Sequence, residues 1–375
     1  MDIKALKKYF CLYSNCIPVQ GATRSVVCDL QYGKYYFIPN SLYDILKEAK
    51  GKRISEIVRG CSEKEISIVF SYFQYLESLE LGFWSESIDK GLSDLDLNSD
   101  SPSLVTNIII DIDSISSHPF ETIASQIDEL GCQALQLRFF DAVQIGQLDE
   151  ILSKFINSTL RDIQVILKWS HELNDDAIEK ICKKHLRVSS VLLHSAFEEK
   201  NYYLFNNSVS VALTDYPVVS SACCGEINQS NFVTNIPAFT ESIHFNSCLN
   251  RKISIDKDGL IKNCPSNAIN YGNITQQKLR NVALDKRFQS LWNIKKDEVD
   301  ICKVCEFRYI CTDCRVYLEN PDDIYSKPLK CGYDPYSCKW EAWTSNPLKL
   351  KVFECYESHE VFHEFTIKPD YVPIT

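Results

Sequence analysis

The chain has 375 residues, 45% hydrophobic and 24% charged, a balance that excludes a disordered or collagen-like protein. Its net charge of −10 argues against broad attraction to nucleic acid or to an anionic membrane. No apolar run reaches the roughly 18 residues of a membrane span. Met1–Phe10 carries Lys4, Lys7 and Lys8 without the apolar stretch or cleavage site of an export signal. A cytoplasmic protein of two or three domains is expected.

Residues 1–88 read as a first unit. Gly21–Leu30 and Lys34–Ile38 predict two strands about a turn at Gly33. Asn40 or Ser41 caps a helix that runs to Lys50 and stops at Gly51. Ile54–Arg59 gives a shorter helix. Ser62 and Glu65 have capping-box spacing, ahead of Ile66, Val69, Phe70, Phe73 and Leu76 at helical intervals. Phe83–Trp84 supplies a last short strand. The set predicts a small winged-helix-like domain. Asp89–Ser103 is acidic and serine-rich and reads as a linker.

Residues 104–246 alternate. Strands are predicted at Asn107–Ile112, Ala134–Phe139, Ile163–Trp169, Val188–His194 and Val209–Leu213. Helices are predicted at Phe120–Leu130, Gln147–Phe155 and Asp175–His185. Such alternation points to βα units and a parallel sheet. The segment is too short for a closed eight-unit barrel. The expected class is therefore α/β, with a partial, open βα barrel. Asp111, Asp113 and Asp141 follow strand ends, where α/β sites lie; loop solvation or helix capping is the plainer role for them.

The outlier is cysteine, with 17 residues. In a reducing compartment such an excess argues for metal ligation or redox chemistry over disulfides. The dense part is residues 247–343, which hold Cys248, Cys264, Cys302, Cys305, Cys311, Cys314, Cys331 and Cys338. Lys252–Ile255 and Leu260–Lys262 predict a hairpin turning at Asp256–Gly259, which would bring Cys248 and Cys264 together. Cys302-x2-Cys305-x5-Cys311-x2-Cys314 repeats a pair that places two thiolates on one centre. All-thiolate ligation suits zinc or an iron–sulfur cluster, and spacing does not choose between them. His244 lies just upstream, and the ordinary role of a lone histidine is structural. The tail, 344–375, holds Cys355, His359 and His363, with strands predicted at Leu350–Tyr356 and Glu360–Thr366; the two histidines read as surface residues.

The run Cys248-x10-Gly259-x4-Cys264, then Cys302 to Cys314, then a further cysteine, resembles a SPASM domain. That is the auxiliary-cluster module of many radical-SAM peptide maturases. It departs from the family at Cys311-x2-Cys314, where three intervening residues are usual. The resemblance implies one or two [4Fe–4S] clusters, with zinc as the alternative. It implies Cys248, Cys264 and Cys314 as ligands of a first cluster, completed by a leftover cysteine or by Cys223 or Cys224. It implies Cys302, Cys305 and Cys311, with Cys331 or Cys338, for a second.

A radical-SAM barrel needs a C-x3-C-x2-C loop after its first strand. Here that loop is Asp113–Pro119 and has no cysteine, and the motif occurs nowhere in the chain. Phe139-Phe140-Asp141-Ala142 stands where a glycine-rich segment is expected. A radical-SAM-like barrel without AdoMet chemistry is the reading. With Asn263–Ser266, Cys305–Arg315 and Lys327–Trp340, the chain resembles the SPASM-domain peptide maturases of grasp-with-spasm systems. The resemblance implies an accessory protein in the maturation of a ribosomally made precursor peptide, acting with an ATP-grasp ligase. It implies that residues 1–88 recognise a leader, taken as an added strand at Tyr35–Pro39 beside the helix around Ile66–Leu79. A peptide-modifying redox enzyme using its clusters, and a zinc-stabilised peptide-binding scaffold, are the alternatives. No phosphate-cradling glycine loop is present, so no ATP site is expected in this chain.

Overall fold

The computed structural model describes residues 5–87, 94–99 and 101–356. Its first elements are β1 (Tyr9–Leu12), β2 (Cys16–Val19), β3 (Arg24–Asp29), β4 (Lys34–Pro39), α1 (Asn40–Ala49), α2 (Ile54–Ile57), α3 (Glu63–Ser78) and β5 (Gly82–Ser85). β2, β3 and β4 form an antiparallel sheet in that order, and β1 pairs with β5. β1 and β2 are absent from the sequence reading because each spans four residues, too few for alternation to show. Ser62 and Glu65 make the expected capping box on α3. Asn40 does not cap α1. Its side chain instead accepts from Ser25 Oγ at 2.6 Å and donates to Gly21 O at 3.2 Å. The helices close a core in which Phe10, Leu42, Ile54, Phe73 and Leu76 are buried.

The chain continues through β6 (Asn107–Ile112), α4 (Phe120–Leu130), β7 (Ala134–Phe139), α5 (Ile145–Ser153), β8 (Asp162–Lys168), α6 (Asp175–Lys184), β9 (Val188–His194), β10 (Lys200–Leu204) and β11 (Val209–Leu213). After α7 (Ile236–His244) come β12 (Lys252–Ile255) and β13 (Ile261–Lys262). These strands make one eight-stranded sheet, ordered β10-β11-β9-β8-β7-β6-β12-β13. Pairs from β11 to β12 are parallel, and both outermost pairs are antiparallel. The fold is thus mixed α/β with a mostly parallel sheet, and the sheet is open. Gly131 ends α4 at φ 66 with its N–H on Asp128 O and Ile127 O, the left-handed stop that glycine permits. β10 was not visible in the sequence. Its Lys-Asn-Tyr-Tyr-Leu run lies at an antiparallel edge, and only Tyr202 and Leu204 turn toward the core, half-buried.

The rest of the described chain holds α8 (Leu279–Leu284), α9 (Lys286–Gln289), β14 (Tyr333–Asp334), β15 (Lys339–Trp340) and α10 (Pro347–Cys355). The strand predicted over Leu350–Tyr356 is therefore a helix. Leu-Lys-Leu-Lys-Val alternates like a strand, but Asn346 caps Leu348 N and Pro347 occupies the first turn. Buried Phe353 then locks the helix beside Tyr317 and Trp343. Glu360–Thr366, His359 and His363 lie outside the described residues. Among the described residues no helix is long and apolar enough to cross a membrane.

Two features fix the remaining segments on this frame. β12 pairs with β6, so the hairpin that follows Cys248 is an extension of the large sheet. The first unit packs against the cysteine-rich segment. Arg24 Nε and Tyr333 OH donate to the same oxygen of Glu306, at 2.9 and 2.5 Å. Ala22 N reaches Val304 O at 2.7 Å, and the rings of Tyr35 and Phe37 meet Phe307.

The end of β9 carries a buried histidine with a stability consequence. His194 Nε2 faces Phe139 O at 3.0 Å, and its Nδ1 accepts from Val218 N at 3.2 Å. Those partners suit a neutral ring. Burial, the largest influence, holds its pKa below the ordinary value, with Lys168 adding to the effect and the Phe139 bond opposing it. The unfolded chain therefore takes up a proton that the folded one refuses. Stability is expected to fall as pH drops below about 6.5. Denaturant melts at successive pH values should show this loss, and His194→Gln should reduce its slope.

Candidate metal centres

The cysteine-rich segment is built on short backbone devices. The β12–β13 hairpin turns at Asp256–Gly259, where Asp256 Oδ1 accepts from Asp258 N and Leu260 N and Gly259 adopts φ 80. Cys248 precedes this hairpin and Cys264 follows it. Asn246 fixes the entry: its Oδ1 accepts from Cys248 N and Leu249 N, while its Nδ2 donates to buried Asp313 at 2.7 Å. Asp313 is in turn paired with buried Arg315. On the other side, Ile301 stands at φ 64 immediately before Cys302. That conformation is unfavourable for a β-branched residue. Flanking bonds from Asp300 N to Tyr325 O and from Lys303 N to Val299 O hold it.

The thiols fall into two sets. Cys264 is acted on by the charges of Cys224, Cys248 and Cys314, and Cys314 by those of Cys248 and Cys224. Cys302 is acted on by Cys331 and Cys311, Cys305 by Cys302 and Cys311, and Cys311 by Cys331. Cys311 and Cys314, almost adjacent in sequence, thus face different sets. Burial is the main influence on Cys248, Cys264, Cys302, Cys305, Cys311 and Cys314. It pushes Cys302 up to about 12 and Cys314 up to about 11. Metal loading of such a site must displace protons.

Cys224 reaches the first set through Gly225. Gly225 has φ 91, and a Cβ there would lie 3.2 Å from Cys314 Sγ and 3.4 Å from Tyr317 Cδ2. Only glycine lets this loop close onto Cys314. Cys223 turns elsewhere, its Sγ 3.7 Å from Pro217 O. Cys338, at φ 56, has its Sγ 3.8 Å from Pro335 O. Sequence reasoning offered Cys223 and Cys224 equally; the glycine after Cys224 was the available signal.

Each set also meets a lysine. Lys252 Nζ donates to Cys248 Sγ at 3.4 Å. Lys296 Nζ donates to Cys311 Sγ at 2.8 Å and to Thr312 O at 3.0 Å. Buried ammonium groups need such partners.

The donors are all thiolate, a set that suits zinc or an iron–sulfur cluster. Among the described residues, no three Cys, His, Asp or Glu side chains gather as a ready-made metal-ion site.

The end of β6 and β7 holds a different cluster. Arg138 grips Asp111 with two bonds, of 2.6 and 2.8 Å, and both residues are buried. Asp113 accepts from Ser116 Oγ, Ile115 N and Lys257 Nζ, and Asp141 Oδ2 accepts from Ser114 N. The three carboxylates are thus engaged in pairing and loop bonds. The loop Asp113–Pro119 is tied to the hairpin turn, with Ser116 Oγ donating to Lys257 O at 2.7 Å. His244 Nε2 lies 2.8 Å from Leu97 O.

No known family model matches the chain, and no curated protein does. Among solved structures, the chain is similar to Streptococcus suis SuiB bound to precursor peptide SuiA, at 11% identity over 83% of this chain and 94% of SuiB, with a TM-score of 0.26.

Proposed function

We propose that this chain is an iron–sulfur accessory protein in the maturation of a ribosomally made precursor peptide, acting beside an ATP-grasp ligase. The observation that carries the reading is that a lysine donates to one sulfur in each of two groups of thiols, Lys252 to Cys248 and Lys296 to Cys311. Cys224, Cys248, Cys264 and Cys314 are the proposed ligands of one [4Fe–4S] centre. Cys302, Cys305, Cys311 and Cys331 are those of the other. When bound, such clusters supply one-electron redox capacity or structural rigidity. Residues 1–88 are the proposed peptide-binding unit. β4, the outer strand of its sheet, pairs only with β3 among the described residues and offers an edge for an added strand. A cavity of about 750 Å³ beside β1, β2 and the end of α1, lined in part by Tyr9, Leu12, Ile17, Tyr43 and Leu46, is the other place on this unit for peptide side chains.

The test is a reconstitution followed by peptide mass. Precursor with ligase and ATP should be modified, and addition of this chain should change the yield or pattern. Precursor with this chain, reductant and AdoMet alone should keep its mass, and no 5′-deoxyadenosine should form, because Asp113–Pro119 brings no thiolate to the end of β6. A mass change without ligase would make the chain an enzyme in its own right. Release of 5′-deoxyadenosine would overturn the reading of the sheet.

A further inference from the structure

Two lysines reach sulfurs of the thiol sets. Lys252 and Lys296 each donate to one, Cys248 Sγ in the first set and Cys311 Sγ in the second. Among the described residues neither makes an ion pair with a carboxylate. A further lysine holds the backbone of each set: Lys330 Nζ donates to Ala222 O and Cys224 O, and Lys349 Nζ, paired with Glu319, donates to Leu329 O and Cys331 O. An ammonium withdrawn from water is expensive, so two placed at thiols without a carboxylate call for another anionic neighbour. Paired thiolates around a metal core are such a neighbour.

Resting on the iron–sulfur reading above, we propose that Lys252 and Lys296 are positioning residues that set the reduction potential of one centre each. Reduction adds one electron and no proton: [4Fe–4S]2+ becomes [4Fe–4S]+, with the electron taken from an added reductant such as dithionite. The extra negative charge spreads onto the sulfurs. A cation donating to one of them stabilises the reduced form more than the oxidised form.

The experiment is a dithionite titration followed by electron paramagnetic resonance, after iron and zinc have been measured on the same samples. Cys264→Ala and Cys305→Ala, each left with one centre, identify the two signals. Lys252→Met should make the centre lost in Cys264→Ala at least tenfold harder to reduce, about 59 mV for one electron, and leave the other unmoved. Lys296→Met should do the converse. Lys252→Gln, a neutral donor, should shift less than Lys252→Met, and Lys252→Arg should restore the potential. Iron-loaded protein in which neither methionine variant moves a potential would overturn the proposal and leave the iron–sulfur reading intact. Loss of the centre in both neutral variants, with retention in Lys252→Arg, would also overturn it, because Lys252 would then hold the centre and not tune it. Zinc in place of iron in the unmodified chain would remove the iron–sulfur reading and this proposal together.

Discussion

Cys305→Ala is expected to lose about half of the bound iron and keep the rest, because one thiol set would lose a ligand while the other stays whole. Cys264→Ala should lose the other half, and Cys224→Ala should behave as Cys264→Ala does. That equivalence is the sharper expectation, since Cys224 lies well outside the dense segment and joins Cys314 only through the Gly225 turn. Cys331→Ala should lose the same share as Cys305→Ala, while Cys338→Ala and Cys223→Ala should keep full iron, because neither is among the thiols that act on the two sets. Cys182→Ala and Cys61→Ala are the controls. Cys182 is buried on α6 and acts as a small hydrophobe. Cys61 is exposed in the turn before α3. Iron per chain across these variants, with folding checked by circular dichroism, decides the matter. Full iron in Cys224→Ala with half in Cys223→Ala would reverse the assignment of that loop. Half in Cys338→Ala with full iron in Cys331→Ala would do the same for the second set.

Arg138→Met is expected to destabilise the fold by about 3–5 kcal/mol, the usual effect of leaving a buried charge unpaired. Asp111 is buried at the end of β6 and receives both of its Arg138 bonds from β7, the neighbouring strand. Burial opposes the Arg138 charge, but Asp111 beside it outweighs burial and keeps the guanidinium protonated. Removing the arginine strands the carboxylate. The double change Asp111→Leu with Arg138→Met should recover most of the loss, because an apolar pair of similar volume avoids desolvation altogether. Equilibrium unfolding in urea provides the comparison. A single variant within about 1 kcal/mol of the unmodified chain would mean that water reaches Asp111. Arg138 also senses Cys224 and Cys264, so the pair connects the end of the sheet to the first thiol set.

Much of the architecture was legible because its signals are local. Asn107–Ile112 and its parallel neighbours are β-branched and apolar, and the intervening helices carry caps and stops such as Gly131. The exceptions share a cause. β1 and β2 are too short for periodicity, β10 is an edge whose partner supplies the order, and α10 hides under an alternating Leu-Lys-Leu-Lys-Val run. There a cap and the burial of Phe353 outweigh the pattern. The thiol sets divide in the same way. Spacing draws attention to Cys302, Cys305, Cys311 and Cys314, and the hairpin relates Cys248 to Cys264. The approach of Cys224 depends on a long-range loop closure, and the lysines at the sulfurs are ordinary residues in sequence. Nothing in local spacing marks Lys252 or Lys296, because their significance lies in the sulfurs they reach.

The most direct test of the iron–sulfur account is native mass spectrometry of the anaerobically isolated full chain, read with its iron, sulfide and zinc content. The expected result is a mass increment of two Fe4S4 cores, iron and sulfide in equal amounts, and loss of one core in Cys305→Ala. An increment of one or two zinc ions without sulfide would contradict it and make the thiol sets structural zinc sites.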